Sequence, residues 1–355
     1  MNGETANPAL PAPAHPAATD GATGATGDLQ RRRRDLGALL AVTLLPMLAL
    51  PLLAQLQLPF RQSLVLGLAV FVGGVGHVAS TLYFYADREA RGVMRGMKAR
   101  FVLLPLAGIG LSIAALLYGS RIGHFDRAVL LIFFVHLVWL YYHYQKQNWG
   151  LLAFAAAGSG VRLPRATMKL LMLPPLAGAL ATIPQLLADG LALPAVPLGD
   201  WLPQLRAAGW TVYALAAAAL ALLALRHRAQ FARPWVAAFC AAGLLFFLPA
   251  LLVGKLDYAF WSYALAHGFQ YLLMVALVSR GARAPWLALG VLLLAMLGGG
   301  FAMHRMVGTQ ALFVAGIVLT WVHFLLDARL WRMSEPGPRA FLQARLGHLL
   351  STARR

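Results

Sequence analysis

Long apolar runs alternate along this chain with short, polar and often basic breaks. Each run is of membrane length, about 20 residues at 1.5 Å of helical rise per residue. Ten can be marked: 36–56, 63–85, 101–118, 127–157, 167–187, 207–225, 234–253, 258–279, 285–303 and 308–331. The fourth differs from the rest. Inside it lies VHLVWLYYHYQKQNWG, a polar knot of His136, His143, Tyr144, Gln145, Lys146, Gln147 and Asn148 with apolar sequence on both sides. Polar groups within a membrane helix are expensive and face a cavity, a partner or a ligand. A helix puts His136, His143 and Gln147 on one face. The two histidines stand about 10.5 Å apart along the axis, too far to share one ion, whereas His143 and Gln147 are one turn apart.

Charge then fixes an expected topology. If the N-terminus is cytoplasmic, 23 of the 30 Lys and Arg fall in inner segments and six in outer ones, with Lys146 inside the fourth run. That is the positive-inside pattern. The expectation is an all-α polytopic membrane protein of about ten transmembrane helices with both termini cytoplasmic, in a bacterial plasma (inner) membrane. Composition agrees: 60% of residues are hydrophobic and 12% charged, where a soluble domain carries about a quarter charged. The net charge of +18 would suggest nucleic acid in a soluble protein. Here topology accounts for it, so the expected partners are the lipid bilayer and a hydrophobic small molecule, with no nucleic acid.

The flanks read differently. Residues 1–34 are an Ala/Pro/Gly-rich tail, expected to be disordered over 1–30, closing on the Arg31–Arg34 anchor; the tail does not resemble a signal peptide. Residues 35–333 form the bundle. Residues 334–355 form a basic tail whose 338–350 stretch reads as an amphipathic helix lying on the membrane. Pro174 and Pro175 should kink the fifth run, and 188–206 reads as an external loop with a short helix near Trp201. The single cysteine, Cys240, excludes an internal disulfide and a Cys-rich metal site.

Five of the ten histidines lie inside runs: His77, His136, His143, His267 and His323, all on even-numbered ones. Four of them, His77, His143, His267 and His323, fall at one depth toward the inner side. Four histidines from four helices in one layer is how a bundle core builds a metal site. A proton or ion pathway and plain structural hydrogen bonding are the competing readings. Gly73-Gly74-Val75-Gly76 would let the second helix approach its neighbours. Ring nitrogens that do not bind a metal need partners, and sequence offers Asp327 beside His323, Gln147 beside His143, Gln270 and Tyr271 beside His267, and Ser80 and Thr81 beside His77. Asp327 and Gln147 are the expected orienting residues. His136 and Tyr271 would face substrate or O₂. All-imidazole ligation without thiolates suits iron, with haem or copper as alternatives and zinc possible.

The isolated histidines in a multi-helix bundle, the His323-x-x-x-Asp327 turn and the stretches HVASTLYFY and HFLLDARLWR give the chain a resemblance to the Brp/Blh-type membrane β-carotene dioxygenases. The resemblance implies one iron held by four histidines, here His77, His143, His267 and His323, and cleavage of a polyene. It covers the four even-numbered helices, and the family's full motifs are absent. The function expected is thus a membrane metalloprotein, a non-haem iron oxygenase acting on a lipid-soluble polyene or isoprenoid-like substrate. A multi-pass transporter or proton-coupled permease, and a haem-binding electron-transfer subunit, are the alternatives.

Overall fold

The computed structural model describes residues 21–53, 68, 72–191, 199–253, 256–282, 290, 294, 298 and 310–350, and among them every regular element is helical. Helix α1 runs Gly21–Leu53. The second span is broken into α2 (Val75–Ala79) and α3 (Leu82–Ala86), followed by α4 (Arg88–Arg95). A π-helical turn (Ala99–Leu103) leads into α5 (Leu104–Arg121), then comes α6 (Phe125–Gly158). Next are α7 (Arg165–Leu171), α8 (Leu173–Leu191), α9 (Leu202–Arg226), α10 (Arg228–Phe231), α11 (Pro234–Leu245) and α12 (Leu248–Leu252). The chain closes with α13 (Leu256–Arg280), α14 (Gln310–Leu330) and α15 (Pro336–Leu350).

Seven helices among the described residues are long and apolar enough to cross a membrane. The ninth expected span, 285–303, lies almost wholly outside the described residues, as do residues 1–20 of the tail and most of 188–198. Large apolar side chains stand exposed on the bundle surface, among them Leu103, Leu111, Leu117, Leu215, Leu222 and Leu225. That is what a lipid solvent permits. The interior is instead aromatic and polar: Tyr141, Tyr144, Tyr263 and Tyr271 are each almost fully buried.

Local sequence explains the breaks. The fifth span is interrupted at Met172, directly before Leu173-Pro174-Pro175, as the missing amide donors of two prolines require. The second span breaks twice, at Gly74 and at Ser80-Thr81, where one continuous helix was expected. The Gly-rich stretch is the cause on one side. The other is Gly268 on α13, where an added Cβ would collide with the Val72 carbonyl oxygen. Without that Cβ, the unwound backbone of the second span presses against α13.

Two expectations for the termini change. α1 starts at Gly21, so 21–30 is helical and not part of a disordered tail. Arg32 is buried, donates to Ser159 Oγ at 3.3 Å and does not serve as a lipid-facing anchor. The C-terminal helix does not rest its apolar face on a membrane. Phe341, Leu342, Leu346 and Leu349 are buried against the protein, and α15 packs on α1, α4, α6 and α13. Its Arg345 is buried in a pair with Asp87 Oδ2 (3.2 Å) and Glu89 Oε2 (2.9 Å), and His348 Nε2 donates to Asp35 Oδ2 at 3.0 Å. The start of the bundle and α15 therefore meet at one end of the molecule.

Candidate metal centre

His77 sits on α2, His143 on α6, His267 on α13 and His323 on α14. The structure brings these four together. Ring centroids stand 5.0 Å apart for His77–His267, 4.9 Å for His267–His143, 5.1 Å for His143–His323 and 5.2 Å for His323–His77. These are the four sides of a ring of imidazoles, and the His267–His323 diagonal is 6.0 Å. All four side chains are buried. Their Nε2 atoms have no hydrogen-bond partner among the described residues, and His267 Nδ1 has none either. Ligating atoms of His77, His267 and His323 lie within 4.8 Å of one another, as do those of His143, His323 and Asp327.

The breaks in the second span set two of these rings. His77 Nδ1 donates to the Val72 carbonyl at 2.8 Å, across the unwound turn that Gly268 accommodates. That bond fixes the ring tautomer and leaves Nε2 a bare lone pair. The second break frees Thr81, whose Oγ1 lies 2.8 Å from His323 Nδ1 and 3.0 Å from the Tyr271 hydroxyl. Read as a donor chain, His323 Nδ1–H gives to Thr81 and Thr81 gives to the Tyr271 hydroxyl. His323 Nε2 is then also a bare acceptor.

Several expected partnerships are replaced. Thr81 serves His323, not His77, and the Ser80 hydroxyl donates to the backbone carbonyl of His77. Asp327 does not hold His323 Nδ1. Its Oδ2 lies on the other side of the ring, 3.8 Å from His323 Nε2 and 3.7 Å from His143 Nε2, while its Oδ1 accepts from Trp331 Nε1 at 3.0 Å. Arg329 and Arg332, the cations that follow Asp327 in sequence, reach Glu335 and not Asp327. Gln147 does not touch an imidazole through its amide. It donates to the His267 carbonyl at 3.3 Å and to Gln270 Oε1 at 3.0 Å, so it positions α13 and not a ring. Tyr271 stands edge-on to His323 with centroids 4.5 Å apart and belongs to the hydrogen-bond chain. His136 is not brought into the ring of four. It stacks on Phe324 (5.8 Å, 10° between planes), and Phe324 stacks in turn on His143 at 4.2 Å. One aromatic ring thus separates it from the cluster.

A second polar cluster adjoins the first, and the sequence reading gave its members no such role. Gln145 Nε2 donates to the carbonyls of Leu171 and Gly243, Asn148 Nδ2 donates to Gln145 Oε1 at 3.1 Å, and Gln270 Nε2 donates to Asn148 Oδ1 at 3.0 Å and Thr43 Oγ1 at 2.6 Å. These amides sit in the interior that the imidazoles also occupy, and amides within apolar spans were the available signal. On the far side of the ring, the Tyr141 hydroxyl hydrogen-bonds both Thr182 and Tyr263, and Tyr144 packs on His267 at 4.3 Å.

Chemically, the arrangement offers two overlapping donor groups that share His323, one of three imidazoles and one of two imidazoles and a carboxylate, with aromatic rings beyond. Such a donor set can hold a transition-metal ion. No family model, no curated protein and no solved structure matches this chain.

Proposed function

We propose that His77, His143, His267 and His323 bind a single metal ion, and that the protein is a membrane-embedded metalloenzyme acting on a lipid-soluble substrate. The observation that carries this reading is the set of four buried Nε2 atoms from four helices, all without protein partners. Leaving one buried polar atom unpaired costs about 1–3 kcal/mol, so four in one place call for a common ligand. The spacing suits an ion. A metal about 2.1 Å from each nitrogen sits about 3.2 Å from each ring centroid, and four such centroids then stand roughly 4.5–6.4 Å apart, depending on geometry; the four sides of the ring and the His267–His323 diagonal, five of the six separations, run from 4.9 to 6.0 Å.

Iron is the ion this reading favours, because nitrogen donors with a nearby carboxylate and no thiolate suit it, with copper as the alternative. Haem fits poorly, because four rings at about 5 Å leave no slot for a macrocycle. Bound iron would supply O₂ activation. The chain's own residues would hold the ring tautomers through Val72 and Thr81, exclude water with Tyr144, Phe324 and Tyr271, and place Asp327 at the edge of the site. Oxygenation of a polyene or isoprenoid-like molecule, in a ten-span bundle of the bacterial inner membrane with both ends cytoplasmic, is the full form of the proposal. The iron on four histidines and the polyene substrate are what the Brp/Blh resemblance implies; the topology follows from the charge pattern.

The break in the second span favours a second reading, a transporter. Interrupted helices build substrate and ion sites at mid-membrane, and His77 lies within the interrupted stretch. Metal analysis of anaerobically purified protein, with an optical spectrum, separates the two. About one iron per chain without a Soret band supports the oxygenase. A metal-free protein that moves protons or solute across vesicles would support the transporter and end the metal reading.

A further inference from the structure

The histidine centre leaves one charged cluster unused. Glu335, in the turn between α14 and α15, accepts from Arg100 Nη1 at 2.9 Å, Arg332 Nη1 at 3.0 Å and Arg329 Nη1 at 3.4 Å. Arg100 belongs to the π-helical turn that opens the third span, and Arg329 lies in the last turn of α14. Three arginines from two segments thus share one carboxylate.

The surroundings say what kind of anion could complete the cluster. Arg100 and Arg332 are about half exposed. Directly beside Arg100, Val102, Leu103, Leu104 and Leu106 are exposed apolar side chains. The cluster therefore stands where the charged end of the bundle gives way to its lipid-facing surface. At that level the nearest anions are phospholipid phosphates. Guanidinium forks match phosphate oxygens in pairs, and basic pockets between helix ends take lipid head groups.

We propose that Arg100, Arg329 and Arg332 form a binding site for the phosphate head group of an anionic phospholipid. Glu335 orients the guanidinium groups and competes with the phosphate for them. The site is independent of the metal proposal, since none of its residues belongs to the histidine centre.

The test uses full-length protein in mild detergent, with native mass spectrometry reading retained phosphatidylglycerol against phosphatidylcholine. Wild type should keep phosphatidylglycerol selectively. The double variant Arg100→Gln/Arg332→Gln should lose about 10- to 30-fold of that selectivity, given two fewer charges near the surface. Arg100→Lys/Arg332→Lys should keep more of it than the Gln pair. Glu335→Gln should raise retention, because it removes the competing carboxylate. If the cluster is only a structural ion-pair network, Glu335→Gln would leave phosphatidylglycerol retention unchanged, and that result overturns the proposal even if the double variant fails to fold. Unchanged selectivity in a folded double variant also overturns it. Displacement of the lipid by millimolar inorganic phosphate would reassign the site to a free anion.

Discussion

Two buried polar clusters lie side by side on α6 and α13. Gln145, Asn148, Gln270 and Thr43 form one; His143 and His267, joined by His77 and His323, form the other. In the amide cluster nearly every donor and acceptor is spent on a neighbour, down to the Thr43 hydroxyl, which donates to the Leu39 carbonyl at 2.7 Å. In the imidazole cluster the outer nitrogens of His77 and His323 are bonded, and the inner nitrogens of all four rings are not. Buried polar groups are normally paired. A cluster that is paired reads as a scaffold, and one that is bare on a single side reads as a site. Polarity and burial are the same in both; the accounting of lone pairs separates them.

The sharpest way to break this contrast is to remove one ring. His77→Ala, His143→Ala, His267→Ala and His323→Ala should each abolish most bound metal, and a second loss should add little, because one site is lost once. His136→Ala should keep the metal, since Phe324 stands between His136 and the ring of four. Full metal content, by elemental analysis, in all four variants would end the assignment. A smaller effect is expected from the residues that fix ring tautomers. Thr81→Val removes the acceptor of His323 Nδ1 and should weaken metal affinity about 10- to 100-fold, as should Asp327→Asn; chelator competition reads this directly.

The amide cluster should respond in the opposite way. Gln270→Leu leaves Thr43, Asn148 and Gln147 short of a partner and should lower stability by about 1–3 kcal/mol. Metal content per folded molecule should stay unchanged. Thermal unfolding in detergent gives the first quantity and elemental analysis the second. Metal loss in folded Gln270→Leu protein would mean the two clusters act as one.

The smallest effect concerns the α1–α15 contact. Burial pushes the His348 pKa below its usual value, with Arg31 pushing the same way against Asp35. A histidine whose folded pKa is lowered is held neutral in the fold. Its contribution is complete above the unfolded pKa of about 6.5 and fades as pH falls below it, because the unfolded chain then binds more protons. Protease resistance of the C-terminal helix should therefore drop modestly between pH 7.5 and 5.5. His348→Gln should flatten that dependence.

The histidine layer was legible in the sequence for a simple reason. Imidazoles inside apolar spans are rare, and equal depth on four helices can be counted along the chain. Their partners were not legible. Assigning Thr81 to His77 assumed that the second span is one straight helix. Two breaks separate Thr81 from the helix of His77, and the close approach of Val72 to α13 needs Gly268, nearly 200 residues away. The amide cluster was overlooked because Gln145 and Asn148 carry no charge and their partner Gln270 lies on another span. The C-terminal helix was read from its amphipathic pattern alone, and a pattern cannot say whether the apolar face meets lipid or protein.

That helix also bears on how the chain is made. α15 closes over the start of α1, through His348 with Asp35, and over the end of the second span, through Arg345 with Asp87 and Glu89. α15 leaves the ribosome long after its partners, more than 250 positions separating the members of each pair. Until α15 is made, Asp35, Asp87 and Glu89 lack these partners. Chains stalled or cut before residue 336 should reach the membrane with this end open, where quality-control proteases can distinguish them from finished ones.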